Sequence, residues 1–182
     1  MPEQISYENG LKQELAGLIQ KLDLDDLKKE FIRSRWLDQV LWMEGRANHA
    51  RDWYYRLRLC TIIGGLIVPA LVSLSASGRA GPSIIRWVTF GLSLLVAASA
   101  AVEEFFHYGE RWRHYRRTVE LLKIEGWLFF QSSGPYSGKS HAEAYPSFAA
   151  RVEKTIQHDV DVYVTQVVQE QKEREKQEGG NP

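Results

Sequence analysis

Glu103 and Glu104 close a stretch of sixteen residues, Trp87 to Val102, that carries no charged side chain. Repeated around an oligomer, carboxylates at the end of an apolar helix form an acidic ring, which concentrates cations and repels anions. Neighbouring residues point roughly 100° apart on a helix, so only one of the pair can face the axis of such a ring. Plain interfacial charge, paired with Arg56 or Arg58, is the simpler alternative. Further along, Arg111, Arg113, Arg116 and Arg117 make a basic cluster suited to anionic headgroups, at about 1 kcal/mol per residue, or to a ligand phosphate. Glu120 and Glu125 are near enough in sequence to neutralise part of it.

Other spacings only imitate reactive sites. Glu104 and His107 have the Glu-x-x-His spacing of carboxylate-bridged di-iron bundles, but such a site takes two of these pairs and the chain has one. Gly134 to Ser140 reads Gly-Pro-Tyr-Ser-Gly-Lys-Ser, close to a phosphate-binding loop. Ser133 stands where its first glycine belongs, and no parallel sheet or second acidic motif accompanies it. His49, His114, His141 and His158 form no ligand pattern, and no Ser-His-Asp or Cys-His arrangement is legible. A lone Cys60 excludes an internal disulfide and, among apolar neighbours, reads as a packing residue. We expect no enzyme, no metal site and no cofactor. The 23 Lys and Arg balance 23 Asp and Glu, so net charge gives no case for nucleic acid.

The elements that must position these groups begin with a second apolar run, Leu59 to Gly78, twenty residues without a charge. At about 1.5 Å per residue it reaches roughly 30 Å, the thickness of a bilayer's hydrocarbon core. The run from Trp87 reaches that length once Ile84, Ile85 and a snorkelling Arg86 are added. Arg79 to Ser83 leave room only for an antiparallel turn. Trp53, Tyr54, Tyr55, Trp87, Phe105, Phe106 and Tyr108 flank the runs where a membrane interface takes aromatics. The alternative is a hairpin buried in a soluble core, which runs of this length disfavour. Gly64, Gly65 and Pro69 allow a kink in the first span, and Ser93, Ala97 and Ala101 offer close helix contact in the second. A pore requires several copies, since one hairpin cannot enclose water. No apolar segment of secretory type lies in the first 35 residues, so the first span serves as its own insertion signal. Nine basic residues flank the outer ends of the spans (Arg46, Arg51, Arg56 and Arg58; Arg111, Arg113, Arg116, Arg117 and Lys123) against Arg79 and Arg86 at the turn, which places both termini in the cytoplasm.

Outside the spans the pattern is helical throughout. Asp23 reads as an N-cap, with Asp25 and Asp26 in the first turn. Trp36, Val40, Met43, Ala47, Ala50, Tyr54 and Leu57 fall at heptad steps, as do Phe105, Tyr108, Trp112, Tyr115, Val119, Leu122, Gly126 and Phe129. The two stripes suit packing on one another along extensions about 40–50 Å long. Pro146 suits the first turn of a last helix striped by Ala149, Val152, Ile156, Val160, Tyr163 and Val167. Leu11, Leu15, Leu18 and Leu22 make a short amphipathic helix that caps the bundle, lies on the membrane or pairs with a neighbouring subunit. The expected fold is all-α: a two-span transmembrane hairpin with long cytoplasmic helical extensions and a C-terminal helix. Its parts are an N-terminal helix over 1–22, the hairpin over 23–130 with spans at about 57–78 and 84–103, a loop over 131–146, a helix over 147–170 and a disordered tail over 171–182.

Within roughly Leu27 to Val164 stand Tyr55-Arg56-Leu57-Arg58-Leu59, Pro69, Glu103-Glu104-Phe105-Phe106, Trp112 to Glu120, Leu122 to Glu125 and Gly134-Pro135-Tyr136. Together these motifs resemble the SLATT-type bacterial two-span membrane proteins and relatives classed only as a domain of unknown function. That resemblance implies a multi-pass protein of the bacterial inner membrane and a pore-forming effector, switched by a separate partner that senses a nucleotide signal. The chain itself carries no nucleotide-making or nucleotide-sensing domain. The expected function is therefore a homo-oligomeric, cation-permeable pore in the lipid bilayer, gated through the cytoplasmic helices. Glu103 and Glu104 stand at its mouth, with Arg113, Arg116 and Arg117 on its regulatory surface. The alternative is a non-conducting, membrane-anchored scaffold that recruits a protein partner.

Overall fold

The structure is a computed structural model that describes the backbone of residues 2–76 and 84–179 and the side chains of 9–74 and 84–161. The turn expected at 79–83 lies outside the described residues. The helices are α1 (Pro2–Lys21), α2 (Asp26–Phe31), α3 (Asp38–Ala76), α4 (Ile84–Phe106), α5 (Tyr108–Phe130) and α6 (His141–Gly179), with a π segment at Ile32–Leu37 and a 3₁₀ turn at Gly134–Tyr136. No strand occurs among the described residues. The chain divides into two compact units, Met1–Glu44 with Arg116–Pro182, and Gly45–Tyr115.

In the first unit, α1 buries Leu15 and Ile19, with Leu22 just past its end, and packs Leu11 and Leu18 against the same core, so of its three expected roles it caps the bundle. Asp25, not Asp23, caps α2: its side chain accepts from the Lys28 amide at 2.9 Å, while Lys28 Nζ lies 2.6 Å from its other oxygen. Asp23 falls outside because the bends at 22–24 carry the chain around before any helical amide is free to cap. The π segment interrupts the single helix expected here. Its i→i+5 bonds take up an extra residue, which lets Ile32, Trp36 and Leu37 all face inward before the heptad stripe resumes at Val40 and Met43.

Trp36 is the centre of this core. Its indole N–H donates to the Leu122 carbonyl at 2.9 Å, and its ring meets Phe130 and Phe148 edge-on at 5.4 and 6.3 Å. Phe129 stacks on Phe148 at 4.3 Å. The α6 stripe is buried at Val152 and Ile156 and includes Ala144 and Phe148, whereas Val160 is exposed. Here α6 begins at His141, ahead of the expected 147, because Ser140 and Glu143 form a capping box. Glu143 accepts from the Ser140 amide at 2.9 Å and from its hydroxyl at 2.8 Å. Pro146 is therefore inside the helix, and the helix extends past 170 to Gly179; the tail expected at 171–182 lies beyond the described side chains.

Arg35 holds Glu153 by two bonds, 2.6 and 2.8 Å, and so lowers the Glu153 carboxyl below its ordinary 4.5. A depressed carboxyl stabilises the fold above its unfolded value and loses that contribution as pH falls through the folded one. An Arg35→Ala variant should therefore melt lower than the wild type at pH 7, by an amount worth under about 1 kcal/mol since both groups are half-exposed. The gap should begin to narrow as pH falls below the ordinary 4.5 and close once Glu153 is protonated in the folded protein, as thermal melts across an acid series would show.

In the second unit, α3 and α4 meet at Gly64, where a Cβ would lie 2.2 Å from Val96 Cγ2. Two helices are long and apolar enough to cross a membrane, one reaching Leu74 and one at Ile84–Phe106, and only 6% of the most apolar window of each is buried. Helices at the heart of a soluble fold would be largely buried, so the soluble-core alternative does not describe them. Thr61, Thr89 and Ser93 hydroxyls donate to carbonyls of their own helices at 2.8–3.0 Å, a pairing that needs no water.

The expected uninterrupted helix after the second span breaks at His107, which takes a left-handed φ of 49°. The break re-aims the chain so that Gly109 closes on Tyr54, where a Cβ would stand 2.8 Å from the ring. It also stacks Tyr108 on Trp53 at 6.1 Å and leaves Trp112 against Tyr54 at 6.2 Å. Phe105, placed in the stripe by its spacing, is instead exposed.

Candidate functional site

The structure separates the two carboxylates at the end of α4. Val96 faces α3 at Gly64, Ser99 is buried, and Glu103 continues that face by a step of four and is partly shielded. Glu104 instead continues Ser93, Ala97 and Ala101 by a step of three; Ala97, Ala101 and Glu104 are all exposed. Ser93 is half-buried and shares a cavity lining with Val72 of α3, so only the Ala97 and Ala101 part of the small-residue stripe faces outward, ending in a carboxylate. Among the described residues neither carboxylate has an ion-pair partner, and Arg56 and Arg58 are themselves exposed. Gly64 is the helix-contact residue of α3, whereas Gly65 faces open space and Pro69 is carried, exposed, inside α3.

The four arginines all lie on α5 and fall on both sides of the division between the units. Arg111 and Arg113 belong to the second unit and are exposed; Arg116 and Arg117 belong to the first. Arg116 is engaged there by a residue the sequence did not single out. Glu44, 2% exposed, accepts from Arg116 Nη1 at 2.9 Å and from Lys123 Nζ at 2.5 Å. Glu120 pairs with Arg116 Nη2 at 2.8 Å and lies 3.7 Å from Lys123. Two cations and two carboxylates therefore close a network in which only Glu44 is fully removed from water. Its one legible signal was position, beside Met43 of the heptad stripe on a helix otherwise apolar at that depth.

Glu125 does not serve the arginine cluster as expected. It accepts two bonds from Arg151, at 2.6 and 3.0 Å, and a short bond from the Tyr136 hydroxyl. Burial and the neighbouring carboxylate push the Tyr136 hydroxyl well above its ordinary 10. Gly134, in the left-handed region at φ 57°, turns the chain so that Tyr136 reaches inward. The stretch that imitates a phosphate-binding loop is thus a clasp joining α5, the 3₁₀ turn and α6. Among the described residues no group of three or more His, Cys, Asp or Glu side chains gathers in metal-binding proximity.

These features define an all-helical protein with two helices able to span a membrane and a polar helical unit stitched by buried ion pairs. The chain belongs to a family described as a protein of unknown function, DUF4231, whose profile matches residues 38–144. That match takes in both apolar helices, Glu44, the arginines, Glu120, Lys123, Glu125 and Tyr136. Comparison with curated proteins and with solved structures returns no match.

Proposed function

We propose that this chain is a multi-pass membrane protein that assembles with copies of itself into a cation-permeable pore, gated through its polar helical unit. The observation that carries the reading is the outward face of α4, where Ala97 and Ala101 lead to the exposed, unpaired Glu104. Small residues at four-residue spacing let helices of neighbouring subunits approach closely. A carboxylate at the end of that contact then becomes a ring by symmetry alone, and a ring of carboxylates favours cations. Glu103, turned towards α3, contributes little to it. The chain enters and leaves the polar unit at Glu44 and Arg116, which bond to each other, so a signal that parts this pair acts on both connections to the spans at once.

In this reading the protein is a SLATT-type effector of the bacterial inner membrane with both termini in the cytoplasm. The excess of basic residues beyond the outer ends of the spans supports that orientation. Its gating signal comes from a separate partner, for which a sensor of nucleotide signals is the proposed class.

The test is ion flux into liposomes carrying the purified protein. Wild type should pass potassium in preference to chloride, Glu104→Gln should lose that preference several-fold, and Glu103→Gln should keep most of it. Absence of flux from folded, inserted protein would instead favour the non-conducting scaffold, in which the same helices recruit a protein partner.

A further inference from the structure

The first unit holds a cavity of about 320 Å³ between α1, the π segment and α5. That is within the size range of small-molecule sites. Its lining is of two chemistries. Leu11 and Leu15 of α1, Trp36 and the part-exposed Trp127 are apolar. Arg116, Glu120 and Lys123 are charged, and with Trp127 they follow one another at steps of four, three and four along one face of α5.

The charged side is only half fixed. Glu44 lies beneath it, buried, and anchors both cations. Glu120 is 43% exposed, and a rotation into solvent costs little, since half-exposed ion pairs contribute little. Once Glu120 swings out, Arg116 and Lys123 carry two positive charges against the one of Glu44. The freed Arg116 Nη2 and the Lys123 ammonium then line the cavity beside Trp127, one turn further along α5.

We infer that this cavity binds a small organic anion with a flat aromatic body. Its phosphate or carboxylate takes the place of the Glu120 carboxylate on Arg116 and Lys123, and its ring lies against Trp127 and the α1 leucines. Glu120 is then an internal competitor, occupying the anion position while the site is empty. The inference does not depend on whether the hairpin conducts.

Calorimetric titration of the full-length protein in mild detergent tests it, with phenyl phosphate as probe and inorganic phosphate and phenol as its two halves. Phenyl phosphate should bind saturably and at least about tenfold more tightly than either half, the worth of one further good contact. Glu120→Gln should tighten it several-fold by removing the competitor, while Trp127→Ala should weaken it about tenfold and leave inorganic phosphate unchanged. Both side chains reach solvent, so these variants should fold, as circular dichroism would check. No saturable binding to wild type and Glu120→Gln would overturn the inference. So would affinities indifferent to both variants, or inorganic phosphate binding as tightly as phenyl phosphate.

Discussion

Replacing Glu44 by alanine should destabilise the polar unit by about 3–5 kcal/mol, the range for removing one partner from a buried ion pair. The reason is what remains behind. Lys123 is 12% exposed and would keep only Glu120, 3.7 Å away, as a counter-charge. Arg116 is half-exposed and can recover water, so most of the loss belongs to Lys123. Against a total stability of about 5–15 kcal/mol for an ordinary domain, that is a large fraction. Urea unfolding in mild detergent reads it, with amide hydrogen exchange across 116–130 separating this unit from the apolar helices.

The same experiment distinguishes a charge effect from a packing effect. A Glu44→Met/Lys123→Met double variant removes both buried charges and fills similar volume, and such replacements are often neutral or stabilising. It should therefore recover most of what Glu44→Ala loses. Should Glu44→Ala cost under about 1 kcal/mol, the pair would be behaving as an exposed one, with water reaching Lys123. The buried network would then be no lock on the two connections between the units.

How much of this was legible beforehand depends on the kind of signal. Burial at Trp36, Val40, Met43, Ala47 and Ala50, and at Val119, Leu122, Gly126 and Phe129, follows the heptad spacing because apolar periodicity and burial share one cause. The two apolar runs were legible by another route, since uncharged length alone marks a helix able to cross a membrane. Local competitions were not. Asp23 and Asp25 are equally good caps by type, and only the bend after α1 decides between them. Ser140 with Glu143 starts α6 ahead of Pro146, since a proline tolerated in a first turn does not require one. The left-handed His107 had no signal of its own, because the constraint is the approach of Gly109 to Tyr54, distant in sequence. Charged residues were hardest: nothing local tells that Glu44 is buried and Glu104 exposed, or that Glu125 belongs to Arg151. Adjacent Glu103 and Glu104 part because the approach of Val96 to Gly64, distant in sequence, sets which face of α4 turns inward.

Gly126→Ala should destabilise the same unit although alanine is the better helix former. A Cβ on residue 126 would stand 2.1 Å from Trp36 Cζ2 and 2.8 Å from two further ring atoms. Such a contact is relieved only by moving the ring, and the ring is held. Its N–H is bonded to the Leu122 carbonyl one turn earlier on α5, and Phe130 and Phe148 meet its other edges. Overpacking of a well-filled core costs about 1–3 kcal/mol and occasionally more, and a contact this short belongs at the upper end. The helix-propensity gain of glycine to alanine returns about 1 kcal/mol, leaving a net loss of about 2 kcal/mol. The cycle with Trp36→Leu isolates the cause. On its own Trp36→Leu should be costly, since it empties the centre of the core and orphans a carbonyl contact. In its presence Gly126→Ala should become neutral or stabilising by up to about 1 kcal/mol, because only the propensity gain remains. If the alanine costs the same in both backgrounds, the glycine serves something other than the tryptophan. The close passage of α5 over the π segment would then need a different explanation, for the small residue at 126 is what lets the edge of the Trp36 ring approach that helix.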